Sequence, residues 1–566
     1  MAVGQVVQPP RPEVAALPVS LPPRAALLAG REELLASLDA RLSGADSPRV
    51  VALQGLGGAG KTSVAGDYAH RHLAEAGLAW QCPAGDPALL LAEFARLAAQ
   101  LGAREVIDAR DPVASVHGVL AAFPAAWMLI FDNASGQEAV QPFLPTAGNG
   151  RVLITSQSAA WPRSWAVQVP ALDTEVAAGF LVNRTGDPDE RAATELAEGL
   201  GGLPLALEQA AAYIQATGTT LAGYLAVFQD RRAELLARGE TPGHPADMAA
   251  TLGLALSRLA AEAPAAAGLA RLLACLAPEP VPLNLLLADA KVAGELAPDV
   301  AAVAGLLLGD PVAARDAVAA LRRYSLVTPA GDGLVLVHRL AQHVTLAQLP
   351  AEVAGQWQQA AVALVEAAVP ADTALPAAWP VCALLLPHAR AVLALTSDGM
   401  WQIAAYLGNS GSYLAARDLF QLIADAYNED DAYGAEHPDT LAARANLALW
   451  TGMAGDAAGA RDQFAALLRI YERVSGAEHP DTLPTGHELA RWTGEAGDAA
   501  GARDQFAALL PISERVLGAM RRARRYQAWH RGQCLLIDAI RPFPTFSGAF
   551  CLALAGLASR AGAGAG

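Results

Sequence analysis

The run Gly55-Leu56-Gly57-Gly58-Ala59-Gly60-Lys61-Thr62-Ser63 stands between the apolar stretch 49–53 and the helical pattern 64–73. A strand, a glycine-rich turn and a helix in that order commit this part of the chain to an α/β layer. The glycines let successive backbone N–H groups turn inward around a phosphate with no Cβ in the way. The phosphate then rests on the N-terminus of the following helix. The spacing is that of a nucleotide-binding P-loop, with Gly55, Gly57, Gly58, Ala59, Gly60 and Ser63 forming the cradle. Lys61 is placed to reach the β- and γ-phosphates, and Thr62 to offer its hydroxyl to Mg²⁺.

Such a loop needs a carboxylate at the tip of a neighbouring strand to hold the cation. Met128-Leu129-Ile130-Phe131-Asp132 supplies it, which makes Asp132 the candidate metal and catalytic residue beside Thr62. Many hydrolytic P-loop proteins place a second acid directly after the first; here that position is Asn133, a poor base, so hydrolysis is expected to be slow or absent. Further strands are predicted over 77–81, 151–156 and 165–169, with a helix over 87–101. Strands alternating with helices give a parallel, doubly covered sheet with its ligand at the carboxyl ends of the strands. That places Ser156 and Gln157 beside the γ-phosphate.

The 566 residues allow roughly three to four domains of ~100–200 residues. A formal charge of −16 argues against a general polyanion binder, so no nucleic-acid partner is expected. Five scattered cysteines without C-x-x-C spacing indicate neither a disulfide framework nor a zinc site and fit a reducing cytoplasm. Residues 1–23 are broken by prolines and read as a disordered leader rather than a signal peptide. No stretch reaches ~18 uncharged apolar residues, so no membrane partner is expected. Residues 542–559 come nearest and read as an apolar, poorly ordered end.

Several motifs follow in a fixed order: Leu28-Ala29-Gly30-Arg31-Glu32, the P-loop, Leu129 to Asn133, Leu153-Ile154-Thr155-Ser156-Gln157, Gly201-Gly202-Leu203-Pro204-Leu205, and His338 beyond a Gly331-Asp332-Gly333 turn. Together they resemble the NB-ARC branch of the STAND signal-transduction NTPases, in its bacterial form with tetratricopeptide repeats. The resemblance implies that Arg31 approaches the adenine, that Pro204 packs by the base at a helix start, and that His338 contacts the β-phosphate of ADP in a locked resting state. Three positions depart from the family pattern. Gln157 stands where many members carry an arginine on the γ-phosphate, and a neutral amide stabilises transition-state charge less than a guanidinium. Val337 and Arg339 replace the methionine and aspartate that flank the histidine.

The carboxyl third repeats itself. Gly434-Ala435-Glu436-His437-Pro438-Asp439-Thr440-Leu441 returns 42 residues later as 476–483, and the fourteen residues 455–468 return unchanged as 497–510. Each copy reads as a helix–turn–helix similar to the longer tetratricopeptide variant, with 401–433 a looser preceding copy. Such pairs need stacking of about three or more to bury their apolar faces. Pro511 in place of Arg469 costs about 3 kcal/mol inside a helix, so the array is expected to decay there. Arg521-Arg522-Ala523-Arg524-Arg525 then reads as a solvated tail.

The chain is thus expected to be multidomain: an α/β P-loop NTPase domain with a parallel sheet, then helical and winged-helix modules, then an all-α tetratricopeptide solenoid. The expected boundaries are a leader over 1–27, the nucleotide-binding domain over 28–172, a helical ARC1-like domain over 173–245 and a winged-helix-like domain over 246–350. Linker helices over 351–400, repeats over 401–518 and a low-complexity tail over 519–566 complete it. The leading functional expectation is an ATP/ADP and Mg²⁺ switch whose repeats sense a protein partner and whose opening exposes a surface for homo-oligomerisation. A turnover ATPase and a repeat scaffold with a vestigial site are the alternatives. No output module is recognisable.

Overall fold

Short apolar runs rich in valine, isoleucine and leucine, each followed by an amphipathic stretch, fold as strand and helix in turn. The computed structural model describes residues 18–24, 28–43, 49–102, 111–237, 244–331, 333–430, 432–479 and 482–530. The chain divides into two units. One comprises 1–107, 113–258 and 323–330; the other comprises 108–112, 259–322 and 331–566.

The first unit runs β1 (Val19–Ser20), α1 (Glu32–Leu42), β2 (Arg49–Gln54), α2 (Lys61–Arg71), β3 (Ala76–Pro83), α3 (Pro87–Gln100), α4 (Pro112–Ala121), β4 (Ala126–Ala134), α5 (Gln137–Val140), β5 (Gly150–Ser156) and β6 (Ala166–Gln168). Helices α6 (Thr174–Thr185), α7 (Glu190–Gly199), α8 (Pro204–Thr217), α9 (Leu221–Ala237) and α10 (His244–Glu262) follow, except that Pro112 of α4 and residues 259–262 of α10 belong to the second unit. The strands form one six-stranded sheet in the order β1-β3-β4-β5-β2-β6, and every pairing is parallel. One core cluster of this sheet joins Leu35, Leu38 and Leu42 of α1 and Val64, Ala65 and Tyr68 of α2 to Val51, Leu53, Met128, Ile130 and Leu153 of the strands.

The order of strands positions the site. β5 lies between β2, which feeds the P-loop, and β4, which ends in Asp132, so residues at the tip of β5 stand between them. Leu53 is in register with Thr155 and Gln54 with Ser156. The β4–β5 register shifts between Phe131 and Ala134, and this irregularity sets the direction of Asp132 and Asn133.

Residues 18–24 of the expected leader take part in the fold, while 25–27 lie outside the described residues. Val19 and Ser20 pair with Ala79 and Trp80 at the sheet edge. Arg24 then reaches Asp67 at 2.7 Å, and Arg71 reaches the same carboxylate at 2.6 Å. Burial works to raise the Asp67 pKa, but hydrogen bonds and charge from both arginines outweigh it and hold the carboxylate below its usual value. A proline-rich composition hid a two-residue strand and its anchor. Residues 1–17 lie outside the described residues.

The second unit contains α11 (Pro264–Ala274), β7 (Val281–Pro282), α12 (Leu283–Leu286), α13 (Pro298–Ala304), α14 (Pro311–Arg323), β8 (Thr328–Gly331), β9 (Leu334–Leu336), α15 (Arg339–Ala347), α16 (Ala351–Ala368) and α17 (Trp379–Val392), apart from the end of α14 and most of β8, which belong to the first. β7 and β9 pair antiparallel, Val281 with Val335 and Pro282 with Leu334. Three helix pairs follow: α18 (Asp398–Asn409) with α19 (Tyr413–Glu429), α20 (Pro438–Met453) with α21 (Ala457–Val474), and α22 (Thr482–Glu495) with α23 (Ala499–His530).

The pairs stack through a recurring contact. A Cβ on Gly408 would lie 2.3 Å from the Trp450 ring, and one on Gly452 would lie 2.5 Å from the Trp492 ring. Each glycine lets the next repeat's tryptophan lie against the helix backbone. Phe464 and Leu467 fill the interior beside Leu441, Ala445 and Trp492.

Pro511 does not end its helix, which runs on to His530 and carries the arginine run within it. A proline removes one N–H and strains the preceding turn; the bonds of the turns on either side remain, so the helix passes through. Residues 531–566, which include the apolar stretch 542–559, lie outside the described residues, as does Asp332 of the expected turn. Among the described residues no helix is long and apolar enough to cross a membrane.

Candidate functional site

The loop between β2 and α2 is shaped by its neighbours as much as by its own glycines. A Cβ on Gly55 would sit 2.5 Å from the Val169 carbonyl oxygen, so only glycine fits that close approach. Gly60 precedes α2 with φ of 89°, a left-handed conformation that glycine adopts without strain. No side chain caps α2 and its first turn holds no acid, an arrangement that suits an anion at a helix N-terminus. By contrast Asp86 caps α3 through the Ala88 and Leu89 amides.

Lys61 is buried, and its ammonium donates to the carbonyls of Gly55 at 2.8 Å and Leu56 at 2.7 Å. It therefore spans the loop it belongs to. Thr62 and Ser63 are exposed on the first turn of α2. The Thr62 hydroxyl donates to Asp132 Oδ1 at 2.8 Å, closing the 70-residue gap between the two expected cation ligands. The Thr155 hydroxyl donates to the same oxygen, and the Gln81 amide donates to Oδ2 at 3.4 Å. The Asn133 backbone N–H in turn donates to Thr155 Oγ1 at 2.8 Å.

These groups suit a hard divalent cation. A carboxylate and a hydroxyl in contact offer oxygen ligands, and Mg²⁺ fills its remaining positions with waters and phosphate oxygens. The buried Oε1 of Gln81 has no hydrogen-bond partner and belongs to the amide whose nitrogen meets Asp132, so it offers one more acceptor to the site. Among the described residues no group of three or more His, Cys, Asp or Glu side chains gathers elsewhere to hold a metal.

Asn133 has φ of 62°, and its amide nitrogen would be 3.2 Å from a Cβ on Gly85. The position after Asp132 thus combines a side chain that is no base with a left-handed backbone that turns it toward the β3–α3 connection.

The remaining sequence-predicted residues divide. Pro204 opens α8 next to the loop: a Cβ on Gly60 would lie 3.9 Å from its Cγ, and the Leu205 N–H donates to the Gly58 carbonyl at 3.4 Å. Gln157 is exposed, with its amide nitrogen 3.4 Å from where a Gly57 Cβ would stand. Arg31 is 4% exposed and donates through one guanidinium nitrogen to Ala59 O at 3.0 Å and Pro170 O at 2.7 Å, which makes it a brace under the loop. Burial lowers its pKa, and the charge of Asp173 works the other way.

Ser156 closes β5. It is buried, its hydroxyl donates to Ala134 O at 2.7 Å, and it accepts from the Ser158 N–H. Alternation along β5 turns Ser156 inward and presents Thr155 to Asp132 instead. His338 belongs to the second unit, where it precedes α15 rather than continuing a strand, and its Nδ1 accepts from the Leu340 N–H at 3.2 Å. Thr155 and Gln81 were missed as site residues. Their signal was a polar residue closing an otherwise apolar strand at its carboxyl end.

Residues 440–481 match the family model of a tetratricopeptide repeat. No curated protein matches the chain. Among solved structures, the chain is similar to a signal transduction ATPase with numerous domains (STAND) carrying a tetratricopeptide repeat sensor, from Pyrococcus horikoshii: 12% identity over 87% of this chain and 78% of that one, TM-score 0.38. It is also similar to a Walker-type ATPase of Pyrococcus abyssi, at 12% identity over 58% of this chain and 98% of that one, TM-score 0.28. A third likeness is to a Podosopora anserina kinesin light chain with nearly identical TPR-like repeats, at 17% identity over 36% of this chain and 89% of that one, TM-score 0.24. Scores this low leave the weight on the residues themselves. The carboxyl-terminal helix pairs contain a tetratricopeptide repeat, and the parallel sheet with its glycine-rich loop is P-loop NTPase-like.

Proposed function

We propose that the chain is an ATP- and ADP-binding switch of the STAND type, with the nucleotide held as its Mg²⁺ complex on the P-loop and the repeats taking a protein partner. One observation carries this reading: Asp132, 70 residues away in sequence, meets Thr62 beside Lys61 at the uncapped N-terminus of α2. When bound, Mg²⁺ supplies charge neutralisation for the phosphates. The chain's own part is to wrap the β-phosphate with backbone N–H groups, to bring the Lys61 ammonium to the phosphate oxygens, and to orient Asp132 through Thr155 and Gln81. Pro204 closes the loop from the side of α8.

Slow hydrolysis belongs to the proposal. Asn133 lacks a basic group and is turned away, and Gln157 brings an amide where charge stabilisation calls for a guanidinium. The NB-ARC assignment and the part of His338 in holding ADP rest on the resemblance, and the winged-helix reading of 246–350 on the helix, turn and strand pattern of 320–340. Exchange of ADP for ATP would drive opening only through a difference in affinity between the two states; moving from 1:99 to 99:1 takes about 5.5 kcal/mol.

Mass spectrometry of nucleotide released from denatured, gently purified protein tests the reading. ADP is expected from the wild type and none from Lys61→Ala. Rapid steady-state phosphate release, above about 1 s⁻¹, would instead make this a turnover ATPase. Wild-type protein that neither carries nor takes up nucleotide would make it a scaffold.

A further inference from the structure

Gln81 lies near the carboxyl end of β3, in register with Ile130 of β4. Its amide nitrogen faces Asp132 Oδ2 at 3.4 Å, and its carbonyl oxygen is buried without a hydrogen-bond partner. The orientation of the amide follows from chemistry, because an ionised carboxylate only accepts and the donor end of the glutamine must face it. A buried acceptor left unmet costs about 1–3 kcal/mol. It belongs to the amide whose nitrogen meets Asp132 Oδ2, and the hydroxyls of Thr62 and Thr155 are both engaged with Oδ1 of the same carboxylate. Residues 78–80, just before it, are the buried Leu78, Ala79 and Trp80, and Trp80 gives its one N–H to Glu93 on the α3 side, so none of them supplies a polar group to Asp132 as Gln81 does.

We propose that Gln81 is a positioning residue for the divalent cation. Its Oε1 accepts a hydrogen bond from a water carried by the cation that Thr62 and Asp132 hold, while its Nε2 steadies Asp132. The proposal rests on the nucleotide–magnesium reading of the site. Mg²⁺ keeps several of its waters in protein sites. Groups that orient ligands or waters around a bound metal without touching it contribute 10–100-fold to its affinity. Such a residue acts on the metal and not on the nucleotide itself, which makes its role separable from that of Lys61.

The experiment uses the full chain and Mn²⁺ as an EPR-visible probe, with ADP binding measured separately in EDTA. Gln81→Met keeps the length and removes both polar ends. It is expected to bind ADP in EDTA like the wild type, which also reports that it folds, and to lose 10–100-fold in Mn²⁺ affinity when saturated with ADP. Gln81→Glu retains an acceptor and is expected to bind Mn²⁺ within a few-fold of wild type or more tightly. Unchanged Mn²⁺ affinity in Gln81→Met overturns the proposal. So does an equal loss of ADP with and without metal, which would mark a structural residue. A wild type that binds neither ADP nor Mn²⁺ overturns the nucleotide reading itself.

Discussion

At the residue scale the chain separates groups that face a ligand from groups that hold the fold, and proximity alone does not tell them apart. Arg31 and Ser156 sit within the motifs yet are buried and bonded to backbone carbonyls. His388 is a buried group with a consequence of its own. Its Nε2 meets the Pro280 carbonyl at 3.2 Å and its buried Nδ1 has no partner. Burial pushes its pKa from 6.5 down to about 4, against the raising effect of the Pro280 hydrogen bond. The folded protein therefore disfavours the proton, so the contribution to stability is complete above the unfolded value of 6.5 and is lost as pH falls toward 4. His388→Gln keeps a donor and does not titrate. Urea unfolding at pH 7 and pH 4.5 should show the wild type losing about 2–3 kcal/mol more than the variant, at about 1.4 kcal/mol per pKa unit. Equal losses would mean that His388 is solvated. The strand–loop–helix form of the P-loop segment and the Pro204 helix start were legible because their motifs specify backbone conformation as well as residue type. Thr155 and Gln81 were not, because which end-of-strand residue turns toward Asp132 depends on register and on the irregularity between β4 and β5, and these arise only when strands distant in sequence pair.

At the element scale, periodicity located β2 to β6, α2 and α3 to within a few residues, since each has an apolar pattern of its own, and left α1, α4 and α5 uncalled. It missed β1, whose two residues are too few to show a period and owe their conformation to β3. It also misread the chain after Pro511, where local propensity stops a helix that the structure continues. Glycines in the helices give a sharper test of packing. Gly452→Ala gains up to about 1 kcal/mol in helix propensity, but the added Cβ meets the Trp492 ring at 2.5 Å. Overpacking of this kind costs about 1–3 kcal/mol. Gly355 in α16 has nothing within 4 Å of an added Cβ, so Gly355→Ala should stabilise. Opposite signs in urea midpoints are expected, and two stabilising variants would show that the Trp492 contact is loose.

At the scale of the whole molecule, the two units bear on the proposed switch through their unfolding. Multidomain chains commonly unfold in more than one step. A ligand at 100 times its dissociation constant adds about 2.7 kcal/mol to whatever it binds. Calorimetry with and without Mg-ADP therefore discriminates. A switch that couples its modules moves every transition upward, whereas a nucleotide unit that acts alone moves only one, and the second pattern would remove the coupling from the proposal. The repeats add a different kind of freedom. Trp450 against Gly408 and Trp492 against Gly452 are the same joint made twice, and the fourteen residues that make the turn and the first part of the second helix are identical between copies. A gene that duplicates or drops one 42-residue period inherits a socket already cut for its neighbour, so recombination can tune the reach of the array without redrawing any interior.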